Sequence, residues 1–265
     1  MSQVGSIKIS SPEMFIDVCE RFGDELFVYR GHGATNWRLE STIERLGLRY
    51  GVERHHLLDR EGHLFEQFKE RAHHYVDHVP DDDNLLEWAA LIQHYGGPTR
   101  LLDVTDSYWV AAFFAVEKPE KATDSEIWAF RTSPFGELIR ESMTDTFEAD
   151  CKRPNVKLAK PKRLNERMVA QRGLFMIPAN LGDTFESQLQ RTTGSNLSNV
   201  TIFEKASDIP FIHTSEINIW RVQIPAGLQS VMARFLKRSN ITAATLFPGV
   251  EGIGRSLNLT MRLFD

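Results

Sequence analysis

The chain has 265 residues, 42% of them hydrophobic, 25% charged and 10% aromatic, with a formal net charge of −5. This is the composition of a folded globular protein, and the length suits a single domain over 1–265, with a core at about 12–257, better than two small ones. The longest purely apolar run, Trp109 to Val116, is far short of the roughly 20 residues that a bilayer span needs. The start, Met1-Ser2-Gln3-Val4-Gly5-Ser6, has neither the basic nor the apolar segment of a secretion signal, so a cytoplasmic protein with no membrane partner is expected. Cys19 and Cys151 lack any CxxC or Cys/His spacing, which predicts neither a disulfide framework nor a zinc site and leaves Cys19 as a core residue. The net negative charge gives no global attraction to nucleic acid.

Ser11-Pro12-Glu13 predicts an N-cap followed by proline at the first helical position, and Phe15, Val18, Cys19 and Phe22 recur at helical spacing up to Gly23. Leu26 to Tyr29 predicts a short strand stopped by a tight turn at Arg30-Gly31-His32-Gly33, which puts Arg30 at a strand end. From Asp59 to Asp77, Leu64, Phe65, Phe68, Ala72 and Tyr75 form a helical stripe, and Asn84 with Glu87 has the spacing of a capping box for a helix reaching Tyr95. Asp106-Ser107 predicts the cap of another helix, Tyr108 to Val116, apolar nearly all round and therefore central. Glu126 to Arg131, Gly173 to Ala179, Ile217 to Ile224 and Ile241 to Phe247 then read as strands, with a helix from Gly227 to Arg238 carrying Val231, Met232, Phe235 and Leu236 on one face. The expected fold is α+β: a helical N-terminal half, then a second half that carries a mixed β-sheet core.

Three segments resist a purely structural explanation because they put polar or charged residues where strands end and helices begin. They are Tyr29-Arg30-Gly31-His32-Gly33, the run from Gln93 to Thr105, and Phe247-Pro248-Gly249-Val250-Glu251-Gly252. Loops held at element ends by a rigid scaffold are where sites are commonly built.

Tyr29-Arg30-Gly31, Gln93 to Thr105 with Ala111 to Ala115 after it, Gln171-x-Gly-x-Phe175, and Pro248 to Gly252 together resemble the FRG-domain family, named for its Phe/Tyr-Arg-Gly motif. That family in turn is similar to the arginine-type branch of the ADP-ribosyltransferase fold. The resemblance implies NAD as co-substrate without a metal, with Arg30 in the place of the early-strand arginine, Thr105 in that of the Ser/Thr strand motif and Glu251 in that of the late glutamate. The single Thr105 after Asp103-Val104 departs from the usual Ser-Thr-Ser. The resemblance also implies a bacterial toxin or phage-defence effector, restrained by an antitoxin protein. The alternatives are an NAD glycohydrolase and a nucleotide-binding module without turnover.

The implied chemistry needs residues of these types. Breaking the nicotinamide–ribose bond passes through an oxocarbenium-like state that a carboxylate stabilises, here Glu251. The diphosphate needs a fixed cation and backbone N–H groups, here Arg30 with Tyr29, Gly31 and the following turn. Tyr95, Arg100 and Asp103 are further candidates for holding the cofactor. Each has a plainer reading. Arg30 is then a surface cation, Glu251 an acid favoured at a helix start, Thr105 a helix cap, Arg100 with Asp103 a structural ion pair, and Tyr95 a core aromatic. His55, His56, His63, His73, His74 and His78 lack metal-ligand spacing and read as a solvated helix face. Lys152 to Arg172 holds Lys152, Arg153, Lys157, Lys160, Lys162, Arg163, Arg167 and Arg172 against Glu166. It reads either as a solvated loop or as a platform for a nucleic-acid acceptor, RNA before DNA, with Lys160, Lys162, Arg163 and Arg172 on the phosphates.

Overall fold

Eight strands drawn from both halves of the chain form one mixed sheet in the computed structural model, which describes residues 2–23, 26–120, 122–140, 155–210 and 216–262. In chain order the elements are β1 (Ser2–Lys8), α1 (Pro12–Phe22), β2 (Phe27–His32), α2 (Thr42–Arg49), α3 (Leu57–Ala72), α4 (Leu85–His94), β3 (Leu102–Thr105), α5 (Tyr108–Glu117) and β4 (Ser125–Arg131). They continue with β5 (Val156–Ala159), α6 (Glu166–Ala170), β6 (Gly173–Pro178), α7 (Phe185–Thr193), β7 (Ser195–Phe203), β8 (Ile219–Ile224), α8 (Gln229–Arg238), α9 (Ala243–Leu246) and α10 (Val250–Arg262). The strand order is β5-β6-β3-β2-β4-β8-β1-β7. β1 runs parallel to both of its neighbours, and the other pairings are antiparallel.

The α+β class holds, but the expected division into a helical half and a sheet half does not. β1, β2 and β3 all precede residue 106, and β1, ahead of the expected core, lies inside the sheet between β8 and β7. Its Ser2-Gln3-Val4-Gly5-Ser6-Ile7-Lys8 has too few apolar residues to read as a strand. The glycine is there for packing, since a Cβ on Gly5 would stand 2.3 Å from the Trp220 ring. Ile241 to Phe247 is not a strand: Thr242 and Thr245 form a reciprocal capping box that starts α9. Arg30, Gly31 and His32 are the end of β2 rather than a turn after it. On α8, Met232, Ala233 and Leu236 are buried while Val231 is exposed.

The predicted helix starts are present, with Ser11, Asn84 and Ser107 accepting from the N–H groups of Met14, Glu87 and Val110. The central helix is central. Tyr108, Val110, Ala111, Ala112, Phe113, Ala115 and Val116 of α5 are buried, and α1, α5 and α8 cover the sheet face that carries Phe27, Tyr29, Ile127, Ala129, Trp220 and Val222. The opposite face packs Val28, Leu102, Val104, Phe130 and Leu174 against Phe185 and Leu189 of α7. Among the described residues no helix is long and apolar enough to cross a membrane.

The contact between β2 and α5 admits no side chain. A Cβ on Gly31 would lie 2.0 Å from the Ala111 carbonyl oxygen and 2.6 Å from the Ala115 nitrogen, and backbone on both sides has little room to yield. Gly31→Ala is expected to cost about 3 kcal/mol or more of stability. Gly62→Ala, at an exposed position of α3 with nothing within 4 Å of the added carbon, is expected to add about 0.5–1 kcal/mol. Thermal unfolding of the two variants beside the parent checks both signs.

Candidate functional site

β2 and β3 are neighbours in the sheet, yet the register between them holds one pair, Tyr29 with Thr105. Beyond that pair the strands part, and a cavity of about 290 Å³ opens in the gap. Its walls come from β2 (Tyr29, Arg30, Gly31), β3 (Asp103, Val104, Thr105), the end of α5 (Phe114, Glu117, Lys118), the segment after β2 (Trp37) and the α6–β6 corner (Arg167, Met168, Gln171, Gly173, Leu174, Phe175). Four of the segments singled out in the sequence thus meet: Tyr-Arg-Gly, the end of the Gln93 run, the helix after it, and Gln171-x-Gly-x-Phe175.

Arg30 spans the gap. Its Nη1 donates to the Asp103 carbonyl across the split at 2.6 Å, and its Nε donates to His32 Nε2 at 3.0 Å. Burial pulls its pKa down to about 10, with Asp103 opposing and Arg45 adding to the fall. The guanidinium therefore stays charged at neutral pH. Asp103 is exposed, and its Oδ1 accepts from Gln93 Nε2 at 2.8 Å. Thr105 is buried and spends its hydroxyl locally, donating to the Gln171 carbonyl at 2.8 Å and accepting from the Ser107 N–H at 3.0 Å. It caps the approach to α5 and ties the α6–β6 corner to β3.

Glu251 does not line the cavity. It stands in the first turn of α10, exposed, with Oε1 3.2 Å from Arg255 Nη1. The same Arg255 grips Glu117 with two bonds, Nε to Oε1 at 2.9 Å and Nη2 to Oε2 at 2.7 Å, while its guanidinium stacks 3.5 Å from the Phe247 ring centroid. Glu251 is thus joined to the cavity through Arg255 and Glu117. It also acts on His94, whose pKa burial and Arg167 lower against the opposing pull of Glu251.

Two other candidates stand apart from this cavity. Arg100 is completely buried, and its fork is taken by Glu61 and the Ala179 carbonyl. The pair considered in the sequence, Arg100 with Asp103, is replaced by Arg100 with Glu61. Tyr95, 60% exposed at the end of α4, lines a second groove of about 340 Å³ between α3 and α4.

The basic run is not one loop, since it threads β5, a turn and α6. Lys152 and Arg153, like Cys151, lie outside the described residues. Lys162 and Arg163 are exposed and Lys160 is half-buried. Arg167 turns into the cavity and lies over Phe247, and Arg172 pairs with Asp106. Of the histidines, His55 and His56 gather with Glu53 in one exposed group.

Trp37, Glu117 and Lys118 are cavity residues outside the candidates named from the sequence. A signal was available in Glu117-Lys118, where an otherwise apolar buried helix ends abruptly in charge.

Breaking the buried Arg100–Glu61 pair from one side leaves an uncompensated charge. Glu61→Gln is expected to cost about 3–5 kcal/mol, read as a lowered midpoint in urea denaturation, whereas Asp103→Asn, at an exposed position, is expected to stay within about 0.5 kcal/mol.

Neither the curated proteins nor the solved structures compared with the chain match it. Residues 25–124 match the family model of the FRG domain. That stretch holds β2 through α5 and with them the cavity wall from Tyr29 to Lys118, while the α6–β6 corner and Glu251 lie beyond it. Over residues 25–124, then, the chain is similar to the FRG domain.

Proposed function

We propose that the protein is an NAD-dependent ADP-ribosyltransferase that takes its donor into the cavity between β2 and β3. The observation that carries this reading is Arg30, a charged guanidinium held across a gap in the sheet beside Trp37, Phe114 and Phe175. Aromatic walls with one fixed cation suit a ligand that has a flat ring at one end and a diphosphate in the middle. A cavity of about 290 Å³ takes the nicotinamide–ribose end and leaves the adenosine half toward the opening. The resemblance to the ADP-ribosyltransferase fold supports the same assignment.

Positive charge developing on the ribose needs a carboxylate in a water-poor site. Glu117 and Glu251, coupled through Arg255, are the candidates, and Glu117 is the one in the cavity wall. A second reading, a nucleotide-binding module without turnover, is favoured by that same coupling, because Arg255 already neutralises both acids. The acceptor we assign to nucleic acid, RNA first. Lys162 and Arg163 are exposed on the segment that leads through Gln171 and Gly173 into the cavity. An effector of this kind acts in bacterial conflict, held in check by an antitoxin.

The test is incubation with NAD labelled in the ADP-ribose moiety, with and without RNA. Label on RNA supports transfer, free nicotinamide alone supports hydrolysis, and neither product with NAD still bound supports the binding module. Glu251→Gln and Glu117→Gln, made separately, are expected to lower turnover by about 100-fold or more for whichever acid faces the reacting carbon, with NAD affinity retained. Arg30→Ala is expected to lower affinity and rate together; unchanged NAD affinity in calorimetry on the folded variant removes Arg30 from the donor site. Combined Lys160→Ala, Lys162→Ala and Arg163→Ala is expected to weaken RNA labelling and flatten its salt dependence by up to about one counterion per charge, with NAD hydrolysis unchanged. An unaltered salt slope makes a protein acceptor the better assignment.

A further inference from the structure

Arg30 reaches the cavity from the end of β2, and two of its donors are already committed, Nη1 to the Asp103 carbonyl and Nε to the ring of His32. Among the described residues no hydrogen bond is made by Nη2, so its two N–H groups remain for a ligand. We propose that His32 is the positioning residue of the site: its Nε2 accepts the Arg30 Nε–H and sets the plane in which the guanidinium presents Nη2 to an anion. This rests on reading Arg30 as the anion-holding group, and adds the residue that orients it.

The geometry is specific to a neutral imidazole in one tautomer. To accept from Arg30, Nε2 must carry no proton, which leaves the proton on Nδ1; an imidazolium could not accept at all. Burial and the cations around the ring favour the neutral form. His32 is 3% exposed, and burial, then Arg30, Arg45 from α2 and Arg221 from β8 hold its pKa far below the ordinary value, against the Trp37 backbone. The Glu126 carboxylate belongs to the residue opposite His32 in the β2–β4 register. It is engaged by Arg221, at 2.7 Å and 2.9 Å from two guanidinium nitrogens. Strand alternation makes the arrangement possible: Arg30 and His32 share the face opposite to the one on which Gly31 meets α5.

Two measurements test the role. In the ¹⁵N-labelled wild type, the proposal expects a scalar coupling across the hydrogen bond between Arg30 Nε and His32 Nε2, with the ring protonated on Nδ1. A ring protonated on Nε2, or the absence of the coupling, overturns it. In calorimetry with ADP-ribose as the probe, His32→Leu is expected to bind about tenfold more weakly, while His32→Gln, which offers a carbonyl oxygen to the same N–H, is expected to stay within about threefold of wild type. Both substitutions disturb the packing, so recovery in the glutamine variant separates orientation from bulk. Wild-type affinity in His32→Leu, with the Arg30 Nε–H still protected from exchange, makes the histidine a packing residue. If the wild type itself fails to bind ADP-ribose, the donor reading falls, while the coupling and the exchange of the Arg30 Nε–H still decide whether His32 orients the guanidinium.

Discussion

At Gly31 a strand and a helix touch backbone to backbone, and the candidate site hangs on that contact. With 2.0 Å between a would-be Cβ and the Ala111 carbonyl, β2 and α5 approach as closely as two main chains can. Period-two alternation does the rest. Tyr29 joins Gly31 on the helix side, packed among Phe22, Phe27 and Tyr108, and Arg30 with His32 is turned to the other face. A bulkier residue in place of the glycine would lift β2 off α5 and move the guanidinium with it. The two ends of α5 fasten the remaining walls. At its start Thr105 bonds both the Ser107 N–H and the Gln171 carbonyl; at its end Glu117 is clasped by Arg255 and the Val116 carbonyl by Arg262, both from α10.

The parting of β2 from β3 follows from how little of the two strands is in register. β3 has four residues, all of them paired to β6, and one of them is also paired to β2. The sheet is thus two well-bonded blocks, β5-β6-β3 and β2-β4-β8-β1-β7, joined by Tyr29 with Thr105 and by the Arg30 side chain on the Asp103 carbonyl. An arginine in that position does double duty, as it replaces a missing ladder bond and keeps further N–H donors directed into the gap.

Much of this was open to a reader of the sequence, and the reasons for the failures are physical. Helix starts were legible because capping is local: a side chain and an N–H three residues on suffice, as at Ser11 and Ser107. β1 and β7 were not, because Ser2–Lys8 and Ser195–Phe203 are polar strands whose place in the sheet is given by partners about 190 residues away, such as Ser2 with Ser195. β3 and β5, at four residues each, are too short to show any period. At Ile241 to Phe247 the apolar residues suggest a strand, whereas Thr242 and Thr245 spell a helix start. In the site, the motifs that enter the cavity were visible as polar breaks in apolar segments. The partner of Arg100 was not, since Glu61 is 39 positions away, on α3.

That last case separates the two kinds of charge in this protein. Arg100 with Glu61, Glu44 with Arg54, and Glu126 with Arg221 each bury a carboxylate against a guanidinium, and each holds pieces of chain together. Glu44 alone receives the Ser41 N–H, the Phe185 N–H and Arg54, joining the start of α2 to the start of α7. Arg221 likewise reaches the Thr35 carbonyl and steadies the segment that leads to Trp37. Arg30 behaves otherwise, for its hydrogen bonds go to neutral acceptors, a carbonyl and an imidazole, and the Asp103 carboxylate acts on it without a bond. A guanidinium with no bonded carboxylate beside a cavity retains attraction for an anion from outside, whereas one closely paired has spent most of it. In sequence both Arg30 and Arg100 are candidates for holding the cofactor. What distinguishes them is the chemistry of their neighbours, which the fold supplies from other strands and helices.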